Sequence, residues 1–217
     1  MPKLKILRAE RQDTARAITK MRTENNNRII HTDAPDDLVY LDIETSGLEP
    51  AQGAKIVEVA MLKLKSGQEQ RFETLVNPGT PIPLECSKIH SIYDDMVKDA
   101  PPFGAVAKNV LDFIGAGIVV CHNAQFDLSF IHKELFENGI KPQRIYFIDT
   151  LKLARQYFSF ESNVLGNIAN TIGVEVEVRH RAMADVLTMF SVSKYIFKNM
   201  YRKGIDSIEP AVFEYKI

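Results

Sequence analysis

Tryptophan is absent from these 217 residues, and cysteine occurs only twice. Cys86 and Cys121 form no CxxC pair and no disulfide framework, which argues against a disulfide-stapled scaffold and fits a reducing compartment. An excess of one charge is also missing. Lys and Arg number 27 against 28 Asp and Glu, for a formal net charge of −1. A chain so balanced is no general nucleic-acid coat, so any contact with a polyanion must be local. No apolar run approaches the roughly 20 residues of a membrane helix. The opening MPKLKILRAERQ lacks the apolar core of a secretion signal. The expectation is a cytoplasmic protein with no membrane engagement. What the chain does have is 45% hydrophobic residues, enough for one sizeable core.

Three stretches follow from the patterning. Residues 1–37 read as an N-terminal helical extension and linker. Leu4, Leu7, Ile18 and Met21 keep a three- and four-residue rhythm, interrupted by Arg11 and Thr14. Residues 1–31 carry eight basic and three acidic groups. That helix could dock on its own domain or a partner, or serve as a basic arm on nucleic acid. The compact domain spans residues 38–204, and 205–217 form a short C-terminal tail. Within the domain, LVYLDIE reads as a first strand, and the run from Lys55 to Pro78 as a hairpin around Ser66-Gly67. A helix is expected near Leu84–Ile89 and another over 103–115. The buried strand GIVVC comes next, then a helix closed by Gly139 and the strand IYFID. Helices over 150–158, 163–172 and 182–203 complete the pattern, the last stopping at Gly204. Strands interleaved with helices after a hairpin predict an α/β fold with a mixed sheet. Gln156–Phe160 looks faintly like a sliding-clamp peptide, but it continues an apolar helical pattern and reads better as the end of a packed helix.

Four carboxylates and a histidine carry the chemistry. Residues two apart on a strand share a side, so Asp42 and Glu44 can face one site while Leu41 and Ile43 are buried behind them. Asp127 falls near the first turn of a helix, where negative charge is tolerated, and Asp185 opens the last helix. His180 sits in the loop before it. Such carboxylates, brought together, would raise one another's pKa values, and divalent cations would relieve the repulsion. An all-oxygen set favours Mg²⁺ or Mn²⁺ over Zn²⁺, and two ions would suit in-line displacement at phosphorus. His180 is the candidate general base, since an imidazole titrates near neutral pH. Singly, each of these signals is weak, and a lone Asp or His beside a helix is ordinarily a solvated or capping group. The set in order is specific.

Asp42-Ile43-Glu44-Thr45-Ser46-Gly47, Asn123-Ala124-Gln125-Phe126-Asp127 and His180-Arg181-Ala182-Met183-Ala184-Asp185 together resemble the three motifs of the DnaQ-like (DEDDh) 3′–5′ exonucleases. That family includes the proofreading epsilon subunit of bacterial DNA polymerase III. The stretch through Ile89-His90-Ser91-Ile92 is similar to the family's Ile-His-Gly-Ile signature, with serine in place of glycine. The resemblance covers about residues 38–200. It implies a ribonuclease H-like fold with a mixed sheet of about five strands flanked by helices. It also implies two Mg²⁺ or Mn²⁺ ions held by Asp42, Glu44, Asp127 and Asp185, with His180 as base. By the same resemblance, Thr45 and Leu48 would meet the terminal nucleotide, His90 and Phe126 would flank its sugar and base, and Asn123 would touch the backbone. Leu48 and Phe126 could instead be ordinary core residues, and His90 could cap its helix.

The expected reaction is release of nucleoside monophosphates from a single-stranded 3′ end of DNA, in proofreading or repair. RNA 3′ ends are the alternative, because the acidic set does not separate the two sugars. A loose association with replication or repair proteins is the further partner expected, as no long tail follows Gly204. A non-catalytic binding module is the reading from another class, disfavoured because every ligand position is filled.

Overall fold

The structure is a computed structural model that describes residues 38–65, 68–141, 144–175, 180–205, 208 and 211–213. The extension at 1–37 and the hairpin turn at Ser66-Gly67 lie outside the described residues. Strand β1 spans Leu38–Thr45, β2 Ile56–Lys65 and β3 Gln68–Leu75, with a short 3-10 turn at Pro50–Gln52 after β1. Helices α1 (Leu84–His90), α2 (Asp94–Val97) and α3 (Phe103–Ile114) lead to β4 (Ile118–Cys121) and α4 (Ala124–Glu137). Then come β5 (Ile145–Asp149), α5 (Thr150–Tyr157), α6 (Leu165–Thr171), α7 (Ala182–Arg202) and β6 (Ala211–Phe213). From residue 38 onward, the elements expected from the sequence stand within a residue or two of their anticipated bounds. The 3-10 turn, α2 and β6 had no sequence signal strong enough to read.

One mixed sheet runs in the order β3-β2-β1-β4-β5-β6. The β1–β2, β2–β3 and β5–β6 pairs are antiparallel, and the β1–β4 and β4–β5 pairs parallel. Five of these strands match the expected sheet, and the three-residue β6 extends its edge. Parallel central strands must be covered on both faces, which explains why β1 and β4 read as nearly unbroken apolar runs. Val39, Leu41 and Ile43 pack with Val106, Val110 and Leu128 of α3 and α4. Leu38 and Tyr40 point the other way, into Val186, Met189 and Val192 of α7. Buried residues recur along α7 at three- and four-residue steps, the stripe that a helix lays on a sheet. Phe158 and Phe160 stack at 5.3 Å and pack into this second core, so the stretch that looked like a clamp peptide is committed to the fold.

Alternation along β1 therefore turns Asp42 and Glu44 towards the α7 face, where the N-terminus of that helix waits. The topology also sets the C-terminal ends of parallel β1 and β4 side by side, and α4 begins just beyond β4.

Candidate active site

Asp42, Glu44 and Asp185 converge. One carboxylate oxygen from each lies within 4.8 Å of the others. Asp42 and Glu44 come from one strand face, and Asp185 from the first turn of α7. All three are half-buried. Burial pushes the Asp42 carboxyl well above the usual range, and Asp127, Asp185 and Glu44 add repulsion. Glu44 is raised to about 8, again by burial first and then by Asp185 and Glu58. Asp127 stands close enough to act on Asp42 but outside the tight group of three. Burial also raises Asp127, while hydrogen bonds from its own backbone and that of Ile43 partly offset the shift.

His180 occupies the loop before α7 with its side chain exposed. Its backbone is left-handed (φ 57°), and its N–H donates to Asp185 Oδ2 at 3.1 Å. Asp185 thus ties down the turn that presents His180. Both residues, with Asp42, line a cavity of about 440 Å³ that Arg155, Asn163 and Val164 also line.

The residues expected around a terminal nucleotide come from the end of β1 and the turn after it, the end of α1 and the start of α4. Thr45 is buried, and its Oγ1 donates to the Gly47 carbonyl at 2.7 Å, which shapes the turn that leaves Leu48 80% exposed. His90 is buried at the end of α1, where its Nδ1 accepts from the Ile92 N–H at 3.0 Å. Nε2 therefore carries the proton in the neutral ring. It lies buried near the Thr45 backbone without completing a hydrogen bond. Ser91 adopts the left-handed conformation (φ 58°) that glycine would take more cheaply, so the serine keeps the helix end intact. Asn123 is exposed and left-handed (φ 80°), and its N–H donates to Asp149 Oδ1 at 3.2 Å. Phe126 packs on Phe130 with ring centres 5.0 Å apart.

Two residues at the site escaped the sequence reading. Glu58 of β2 sits directly across from Glu44 in the sheet register and is 1% exposed. Two like charges so placed repel. Arg181 resolves the conflict: its Nη2 donates to Glu58 Oε1 at 2.6 Å and its Nε to both oxygens at 3.2 Å. The Ala182 N–H adds a bond of 2.9 Å to Glu58 Oε2. A carboxylate on β2 thus caps α7 and fixes the residue after His180. The sequence shows a lone acid in the apolar first half of β2, which does not say which way it points.

The donor chemistry fits a hard divalent cation. Three oxygen donors at close range, each destabilised as an anion, gain from a positive charge among them. Asp127, adjacent to Asp42, could extend the set.

A mixed sheet of this order, with carboxylates gathered from its first strand and its last helix, defines a ribonuclease H-like nuclease domain. The chain belongs to the exonuclease family, whose sequence profile matches residues 39–192. The DNA polymerase III PolC-type of Clostridium perfringens is 35% identical over 167 residues, 76% of this chain and 11% of that protein. The 3′-5′ exonuclease DinG of Bacillus subtilis is 33% identical over 149 residues, 68% of this chain and 16% of that one. The chain thus spans only a small part of the length of these curated relatives. Among solved structures, exonuclease X in complex with 5′ overhanging duplex DNA is 28% identical with a TM-score of 0.57, covering 77% of this chain and 93% of that chain. No helix among the described residues is long and apolar enough to cross a membrane.

Proposed function

We propose that residues 38–204 form a metal-dependent 3′–5′ exonuclease unit that hydrolyses the terminal phosphodiester bond of a DNA strand and releases nucleoside 5′-monophosphates. The observation that carries this reading is the convergence of Asp42, Glu44 and Asp185 within 4.8 Å, with His180 at the mouth of the same cavity. Asp42, Glu44 and Asp185, extended by Asp127, would hold two Mg²⁺ or Mn²⁺ ions. When bound, such ions supply positive charge for the attacking and leaving oxygens.

The side chains do the rest. His180, exposed and backbone-bonded to Asp185, takes the proton of the attacking water. Glu58 and Arg181 keep that loop in register with the sheet. His90 offers its buried Nε2–H towards the sugar of the last nucleotide, beside Thr45. Leu48 and Phe126 supply the apolar surfaces against which any base can stack, and Asn123 meets the backbone. DNA is favoured because a PolC-type DNA polymerase is among the similar proteins and exonuclease X is solved with duplex DNA.

The direct check is digestion of matched 5′-labelled DNA and RNA oligonucleotides with Mg²⁺ and with EDTA. Stepwise shortening of the DNA from its 3′ end, abolished by EDTA, is expected. Shortening of the RNA alone would move the substrate to RNA ends. EDTA-resistant shortening would remove the metal from the reaction.

A further inference from the structure

A cavity lies beside the acidic group. None of Thr45, Leu48, His90 and Phe126 lines it, whereas Asp42, His180 and Asp185 do. Arg155 from α5 and Asn163 and Val164 from the turn before α6 form a further part of its wall.

We propose that this wall is a subsite for the nucleotide on the 5′ side of the scissile bond, with the Arg155 guanidinium seated on that nucleotide's backbone phosphate. The inference rests on the nuclease reading and adds the path that the strand takes out of the site. A backbone phosphate beyond the reach of the metal site is held best by a basic side chain along its path. Arg155 is the one arginine or lysine among the residues lining the cavity. It is exposed and has no ion-pair partner among the described residues.

The wall is also built in advance. His122 Nδ1 lies 2.9 Å from Thr150 Oγ1, and its Nε2–H donates to the Asn163 carbonyl at 2.8 Å. Burial lowers the pKa of this imidazole, and the Asn163 carbonyl, which can only accept, places a proton on Nε2. The Asn163 loop is thereby pinned to the first residue of α5, the helix that carries Arg155. Asn163 Oδ1 is buried with no partner among the described residues, an acceptor left open at this wall. Val164, 62% exposed, offers an apolar surface to a sugar or base. Phosphate contact plus apolar packing reads no sequence, as trimming of arbitrary ends requires.

The test compares Arg155→Ala and Arg155→Lys on two substrates. One is a 5′-labelled oligothymidylate. The other is the p-nitrophenyl ester of thymidine 5′-monophosphate, which carries no upstream phosphate. The ratio of kcat/KM for oligonucleotide over ester should fall roughly tenfold in the alanine variant, the loss of one charged hydrogen bond, and largely recover with lysine. Binding of the same oligonucleotide, followed by fluorescence anisotropy with Ca²⁺, should lose about 0.7 from the slope of log K against log salt. An unchanged ratio or an unchanged slope overturns the subsite. Failure of the native protein to cleave either substrate sinks the nuclease reading instead, and the anisotropy slope still decides the phosphate contact.

Discussion

His180 is held where a histidine is uncommon. Non-glycine residues at positive φ cost free energy and persist where the surroundings over-determine them. Here the surroundings are the Asp185 carboxylate on its own N–H and the Glu58 clamp on the next two residues. The backbone of His180 is thereby tied to Asp185, one of the three converging carboxylates. His180→Ala should therefore slow single-turnover hydrolysis near neutral pH by roughly 10²–10⁴-fold. Divalent cations should still bind that variant by calorimetry. Equal rates for both proteins would exclude histidine as the base. At this scale the sequence was legible through three motifs that are weak singly and specific in order, and the structure brings Asp42, Glu44 and Asp185 together with His180 lining the cavity beside them. The position of Asp127 was less so. Whether its carboxylate joins the other three depends on the Ile43 backbone, a neighbour distant in the chain.

Between elements, the link that matters is β2 to α7. Glu58 joins a strand to a helix start 124 positions further along the sequence. Nothing in the run IVEVAMLKLK shows that its acid lies inward, because alternation along a strand marks a polar residue as solvent-facing unless the pairing partner is known. The same blindness hid β6, a three-residue edge strand whose existence depends on β5 lying beside it. Helices α3, α4 and α7 were readable because their buried stripes repeat over several turns. Removing Arg181 would leave Glu58 facing Glu44 with only the Ala182 N–H. Arg181→Ala should destabilise the fold by about 2–3 kcal/mol in urea denaturation, below the full cost of a broken buried pair because the arginine is 35% exposed. It should also slow catalysis more than Arg181→Lys does. A loss of stability under about 0.5 kcal/mol, the level of a surface pair, would show that the clamp contributes little.

For the whole molecule, the site is a built-in source of instability that a cation relieves. Glu44 titrates at about 8 in the fold against an ordinary 4.5, so the metal-free native state holds protons that the unfolded chain releases. Stability of the metal-free protein must then fall as pH rises between those values. A divalent cation at these oxygens would compete with protons and favour the deprotonated form. The melting temperature in EDTA should thus drop from mildly acidic to mildly alkaline pH, and the gain on adding Mg²⁺ should grow over the same range. A gain independent of pH would place the ion elsewhere. The central claim, that side chains from separated stretches of chain hold divalent cations at one point, is tested most directly by anomalous diffraction from crystals soaked in Mn²⁺. Peaks within bonding distance of Asp42, Glu44 and Asp185 are expected, with Asp127 completing the set. No peak there, or peaks only at other acidic surfaces, would contradict it.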